Sequence, residues 1–342
     1  KTLSYPSLRN FVKVEITRLI LERFGLAACV LWGFTYLLPL LLPDYPTTYI
    51  SVARGIVMGV TALAGLALQR QYLKQVNLKD WNTAFWLTLI GNLIQPWCLF
   101  SAVQYAGVAL AATFFGLIPV LVALIANERD KRKGKKYLPL SKLILPLSVI
   151  FIGLILANFE GLINVLEDYK SNPNFLIGVI YSVLSTAMWT WYPIRNADWL
   201  LDHPKISPVF FTSMQCSLLL PFGIVLYVAL WLFSGDLKEF FGPSPFAFIG
   251  WSLFAGVVCS FGATALWNAM SQKVPTAVAG PMLVFETIFS VTWGCVYARA
   301  FPTATLFIGM VLLVSGVVYT LMLFNSLNEP VVSEAESSAG GM

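Results

Sequence analysis

Two ionisable residues lie deep inside otherwise apolar stretches: Arg54 in YISVARG and Glu286 in LVFET. An ionised side chain at the centre of a spanning helix costs about 2.5–3.5 kcal/mol on insertion scales, so its presence points to binding, coupling or pairing. At 1.5 Å per residue, Arg54 lies roughly 11 Å inside its span from one face, and Glu286 about eleven residues into its own from the other. Their levels differ by only a few ångströms, so an Arg54–Glu286 pair is within reach. Arg54 suits an anion or carboxylate; Glu286 suits an amine or a coupled proton. The competing reading is a structural ion pair that locks one conformation, and both can hold if the pair breaks during a working cycle.

Uncharged polar and aromatic residues recur around these two at helical spacing. Trp32 and Tyr36 are i, i+4; Asn92 and Gln95 are i, i+3; Trp189, Tyr192 and Asn196 are i, i+3, i+7. Each group shares one helix face. Trp267 and Asn268, with Gln215, complete a candidate polar and aromatic cavity. A single Trp or Tyr serves packing or an interfacial belt as readily. It is the set, at matching positions of two halves, that points to a small-molecule site.

The elements that must position these residues follow from composition. The 342 residues are 58% hydrophobic and 11% charged, with mean hydropathy +0.75, against about 25% charged in soluble domains. Ten apolar segments approach the roughly 20 residues that a spanning helix needs: 24–42, 47–68, 82–103, 107–126, 143–160, 175–197, 207–233, 246–270, 275–298 and 303–325. The expected fold is therefore all-α and integral to the membrane, in contact with the lipid bilayer. If the ten spans alternate, eighteen Lys and Arg fall on the face that holds both termini and three, Lys170, Lys238 and Arg299, on the other. That bias places both termini in the cytoplasm.

The two halves repeat. LFSAVQYAGVALAATFFGLIP from Leu99 returns as LWNAMSQKVPTAVAGPMLVFE from Leu266; Trp32 is matched by Trp189 and Arg54 by Gln215. Five helices per unit is an odd number, so the second unit enters the membrane from the opposite side and the repeats are inverted, with a shared site near the midplane. The expected organisation is a cytoplasmic juxtamembrane segment over 1–23, a first repeat over 24–160, a second over 175–325 and a disordered cytoplasmic tail over 326–342. Glu286 has Ile118 as its expected counterpart, so the scaffold is symmetric while the charges are not.

Other features exclude more than they add. The loop NERDKRKGKK reads as a topology determinant near anionic headgroups, so the net charge of +5 implies no nucleic-acid partner. The five cysteines lie in apolar spans without CxxC spacing and read as packing residues. His203 sits alone in a polar loop. Pro96, Pro119, Pro193, Pro221 and Pro281 interrupt spans as kinks or hinges, and Gly55 and Gly59 allow close packing within the bundle. GxSxG, HExxH and Walker A patterns and Cys/His clusters are missing from the sequence, so neither an enzyme nor a metal or cofactor site is expected.

The opening WGFTY with its Pro-rich turn and Arg54, the run GLIPVLVAL, the turn SQKVPTAVAG and the closing GMVLLVSGVVY resemble the ten-helix EamA branch of the drug/metabolite transporter superfamily, over about residues 24–322. The resemblance implies alternating access around a central cavity and export of amino acids, metabolites or drugs, by proton exchange or facilitation. Many members read Glu-Pro in the ninth helix and carry an acid before the last; this chain has Glu286-Thr287 and Ala300. The expected function is export of a small metabolite, an amino acid or related compound, across the bacterial inner membrane. The alternatives are a cationic or amphipathic drug exporter, and a receptor or assembly factor that does not transport. The coupling ion, with protons as the candidate, and the oligomeric state are left open.

Overall fold

The computed structural model describes residues 23–106, 108–159, 162–163 and 173–326. The juxtamembrane segment up to residue 22, most of the 161–174 loop and the tail from 327 lie outside the described residues. Among the described residues ten helices are long and apolar enough to cross a membrane: α1 Arg23–Leu41, α2 Thr47–Leu68, α3 Leu78–Val103, α4 Leu110–Arg132, α5 Leu140–Ala157, α6 Phe175–Asp202, α7 Pro208–Phe233, α8 Pro245–Ser271, α9 Thr276–Ala298 and α10 Ala304–Phe324. Among the described residues there is no strand.

Prolines start several of these helices, where a missing N–H costs nothing. Pro46, Pro139 and Pro275 precede α2, α5 and α9, and Pro208 and Pro245 open α7 and α8. An Asn77–Asp80 capping box opens α3. Two helices run past the point where apolar character ends: α4 to Arg132 and α6 to Asp202. Hydropathy marks where lipid ends, whereas backbone hydrogen bonding carries a helix on. Here the overhangs are joined by Arg129 Nη2 donating to Asp198 Oδ2 (2.7 Å).

We call the end of the bundle that carries the α2–α3, α4–α5, α6–α7 and α8–α9 connections the basic face, and the other the opposite face. The halves interlock through α2 on α7, α4 on α9 and α5 on α10, and through α3 on α6 as α1 meets α8 at Trp32–Trp267 and Phe34–Trp251. Exchanging each helix for the one five places on maps these contacts onto one another. The tightest pair, α5 and α10, lies backbone on backbone: a Cβ on Gly309 would fall 2.5 Å from Ala157 N. Small residues allow such an approach where lipid gives no hydrophobic drive for association. Of the GxxxG pair on α2, only Gly59 packs, against Leu220 of α7; Gly55 has open space beside it.

The irregular stretches are matched as well. α3 is π-helical over Thr88–Ile94 and α8 over Ala255–Gly262, with starts 167 positions apart. α4 is broken at Gly116 and α9 at Leu283, also 167 apart. That is also the spacing of the similar runs that begin at Leu99 and Leu266, so Glu286 corresponds to Pro119 rather than Ile118. A π turn adds a residue to the turn and rotates all that follows, and such segments concentrate at functional sites.

Candidate functional site

A cavity of about 260 Å³ opens between the halves at mid-bundle. Its wall begins at Pro39 and Thr47, at the opposite-face ends of α1 and α2, and stops toward the basic face at Trp32, Tyr192 and Trp267. Below it the basic-face half of the bundle is closed by an apolar core that includes Cys29, Ile118, Val122, Met270, Ala277 and Val278. The floor itself is aromatic. Trp32 meets Trp267 (centroids 5.4 Å), Trp189 stacks on Tyr192 (5.1 Å), and Phe115 stacks on Trp189 (6.3 Å).

Of the residues picked from the sequence, Arg54, Glu286, Trp32, Tyr36, Asn92, Gln95, Trp189, Tyr192 and Trp267 all line this cavity. The anticipated Arg54–Glu286 ion pair does not form: no acidic side chain among the described residues lies within ion-pair distance of Arg54. Its Nη1 donates to Ser260 Oγ of α8 (2.9 Å), and Ser260 in turn donates to the Ala255 carbonyl (2.8 Å). The contact is built by the π segment. Gly256, one turn before Ser260, lets α8 press against the α2 backbone, where a Cβ would fall 2.9 Å from the Arg54 carbonyl oxygen. Glu286 instead accepts from the Tyr36 hydroxyl at 3.3 Å, a long bond, and Tyr36 itself is 47% exposed. Both charges line one cavity and still do not pair, because the rotation of α2 and α8 decides where Arg54 points. Each charge holds one neutral partner and keeps capacity for a ligand.

Gln95 faces the cavity while its Nε2 donates to Ser185 Oγ of α6 (3.1 Å). In α3, Gly91 sits under the Tyr192 ring, closer than any side chain would permit. Gln215 and Asn268 do not reach the wall. They form a buried chain beneath the floor: Tyr192 Oη donates to Gln215 Oε1 (2.9 Å), Gln215 Nε2 to Asn196 Oδ1 (2.9 Å), Asn196 Nδ2 to Asn268 Oδ1 (2.7 Å) and Asn268 Nδ2 to Thr212 Oγ1 (2.9 Å). Such a chain in a low-dielectric interior fixes the orientation of every member. It ties α6, α7 and α8 together immediately below the site.

Sequence reasoning missed Ser260 and Thr264 on α8, and Thr47 and Ser51 on α2, all in the wall. The signal was present. Ser260, Thr264 and Trp267 are spaced i, i+4, i+7, and so are Thr47, Ser51 and Arg54, which puts each trio on one face. The single histidine is also placed: His203 stacks on Trp199 (4.1 Å) with Nε2 3.4 Å from Asp80 Oδ1, and Trp199 Nε1 donates to the same oxygen (2.9 Å). This cluster joins α3 to α6 at the basic face, and none of its three residues lines the cavity.

Ten apolar helices around a central cavity with charged and aromatic walls define a polytopic helical membrane protein of the transporter type. The EamA-like transporter family model matches residues 20–159. Inner membrane protein YtfF of Escherichia coli is 34% identical over 300 residues, which cover 86% of this chain and 92% of that protein. The chain belongs to the EamA-like transporter family of the drug/metabolite transporter superfamily. A solved crystal structure shares the fold, with TM-score 0.65 and 17% identity over 90% of this chain and 99% of that one. A 25-residue stretch is 96% identical to orotate phosphoribosyltransferase of Bacteroides thetaiotaomicron, but it is 7% of this chain and 12% of that enzyme.

Proposed function

We propose that this chain is a secondary carrier that exports a small metabolite carrying both a carboxylate and an amine, an amino acid or related compound, by alternating access across the bacterial inner membrane. The observation that carries the proposal is the wall itself: Arg54 and Glu286 line one cavity from different halves, each with a neutral hydroxyl as its side-chain partner among the described residues. A zwitterion meets both charges, and the aromatic floor accepts its side chain. The positive-inside bias puts the termini in the cytoplasm. The cavity wall then reaches toward the periplasm and the packed core closes the cytoplasmic side. Two inverted five-helix units are the reading that best fits the paired contacts and the matched π segments, since rocking one unit against the other would move the opening from face to face.

A second reading is a cationic or amphipathic drug exporter, favoured by Trp32, Trp189 and Trp267 beside Glu286, because aromatic faces and a carboxylate together attract cations. Counterflow of labelled amino acids and of organic cations in liposomes tests both, with and without an imposed pH gradient for proton coupling. A zwitterionic substrate predicts that Arg54→Gln and Glu286→Gln each abolish saturable exchange while insertion is kept. A cationic substrate predicts that only Glu286→Gln does. No saturable exchange of any compound by the unaltered protein would refute the carrier and favour a receptor or assembly role.

A further inference from the structure

A second cavity, about 600 Å³, lies on the basic face and shares no lining residue with the first. Both halves build it: the end of α4 and the loop after it supply Arg129, Lys133, Lys135 and Lys136, α6 supplies Arg195, and the α8–α9 turn supplies Lys273. Against these six bases stand three acids, Asp130, Asp198 and Asp202. Asp198 is shared by two guanidinium groups, Arg129 at 2.7 Å and Arg195 at 3.3 Å, so that trio keeps a positive charge. Asp130 faces Lys135 at 4.0 Å. Among the described residues no acidic side chain lies within ion-pair distance of Lys133 or Lys273. The floor is apolar, with Ala126, Ala277 and Val278, and all three belong to the core that closes the bundle on this side.

We propose that this cavity binds a phosphate-bearing anion that bridges the two halves on the basic face. The guanidinium fork of Arg195 and the point charges of Lys133 and Lys273 are the groups that recognise phosphate. A role in topology alone needs positive charge on this side but no concave site to which both halves contribute. The phosphate has two possible sources: a soluble phosphorylated compound, or the headgroup of an anionic phospholipid, which lies at this level of the bilayer. Contacts from both halves mean that occupancy braces this face in its closed arrangement. The assignment does not depend on what the central cavity transports.

The test is the thermal stability of the purified full chain, measured with inorganic pyrophosphate in neutral detergent and, separately, in nanodiscs of phosphatidylcholine with or without phosphatidylglycerol. The comparison is Lys133→Gln/Lys273→Gln, two exposed side chains, against Lys205→Gln/Lys238→Gln, which removes the same charge outside the cavity. The expected result is stabilisation of the unaltered protein and of the Lys205/Lys238 variant by at least one probe, with half-saturation about tenfold weaker in the Lys133/Lys273 variant for loss of two charge-assisted contacts. A response to pyrophosphate alone assigns a soluble phosphate, and a response to phosphatidylglycerol alone assigns a lipid headgroup. No stabilisation by either probe, or an equal response in the Lys133/Lys273 variant, would overturn the site.

Discussion

Replacing Gly91 by alanine tests whether the floor of the central cavity is a fixed structure. The added Cβ would fall 2.3 Å from Tyr192 Cδ2 and 2.9 Å from its Cγ, whereas carbon atoms settle at about 3.5–4.0 Å. The Tyr192 ring must therefore move by more than an ångström. That shift is enough to break its 2.9 Å bond to Gln215 and to disturb its stacking on Trp189. Overpacking of this kind costs about 1–3 kcal/mol, and leaving the buried Gln215 oxygen without its donor adds about 1–3 kcal/mol. The substitution should lower thermal stability by about 2–6 kcal/mol in all and raise the half-saturation concentration for exchange. The same change made in a Tyr192→Ala background should have little further effect, since the ring it strikes is gone. If Gly91→Ala is as costly with Tyr192 absent as with it present, the clash is not the cause and the proposed rigidity of the floor falls.

Three further outcomes are expected. Asn268→Ala leaves Asn196 Nδ2 without its acceptor and Thr212 Oγ1 without its donor, and should cost about 2–4 kcal/mol, read as a fall in melting temperature; a change below about 0.5 kcal/mol would mean the chain is not a unit. Ser260→Ala removes the single hydroxyl that holds Arg54 and the Ala255 carbonyl, so melting temperature should fall and the exchange kinetics of carboxylate-bearing compounds should change more than those of cations. Trp199→Phe keeps an aromatic ring against Phe211 and His203 but deletes the indole N–H to Asp80. It should cost about 1.5–3 kcal/mol for a bond to a charged group, and Asp80→Asn, whose one amide oxygen cannot accept from both the indole and the Asn77 N–H, should cost at least as much.

Much of the site was legible because helical spacing fixes which residues share a face. Trp32 with Tyr36, Asn92 with Gln95, and Trp189 with Tyr192 reached one cavity for that reason. Spacing says nothing about the direction in which a face is turned. Gln215 and Asn268 carry the same chemistry as their neighbours, yet α7 and α8 turn them toward Asn196 under the floor. Ser260 was passed over although its spacing to Trp267 marked it, since a serine in a span costs little and draws no notice beside a charge.

The sequence by itself determined the ten apolar helices, the asymmetry of basic residues and the placing of Arg54 and Glu286 inside apolar helices, because apolar length and position along the chain are one-dimensional quantities. Membership in the family was carried by extended motifs that survive in order along the chain. Only the tertiary structure decided that Arg54 turns to Ser260 and Glu286 to Tyr36. That choice depends on helix rotation, and in α3 and α8 rotation is set by π segments that no propensity announces. The two charges were visible from the start. That they stand apart across a cavity rather than joined is a property of how the helices pack.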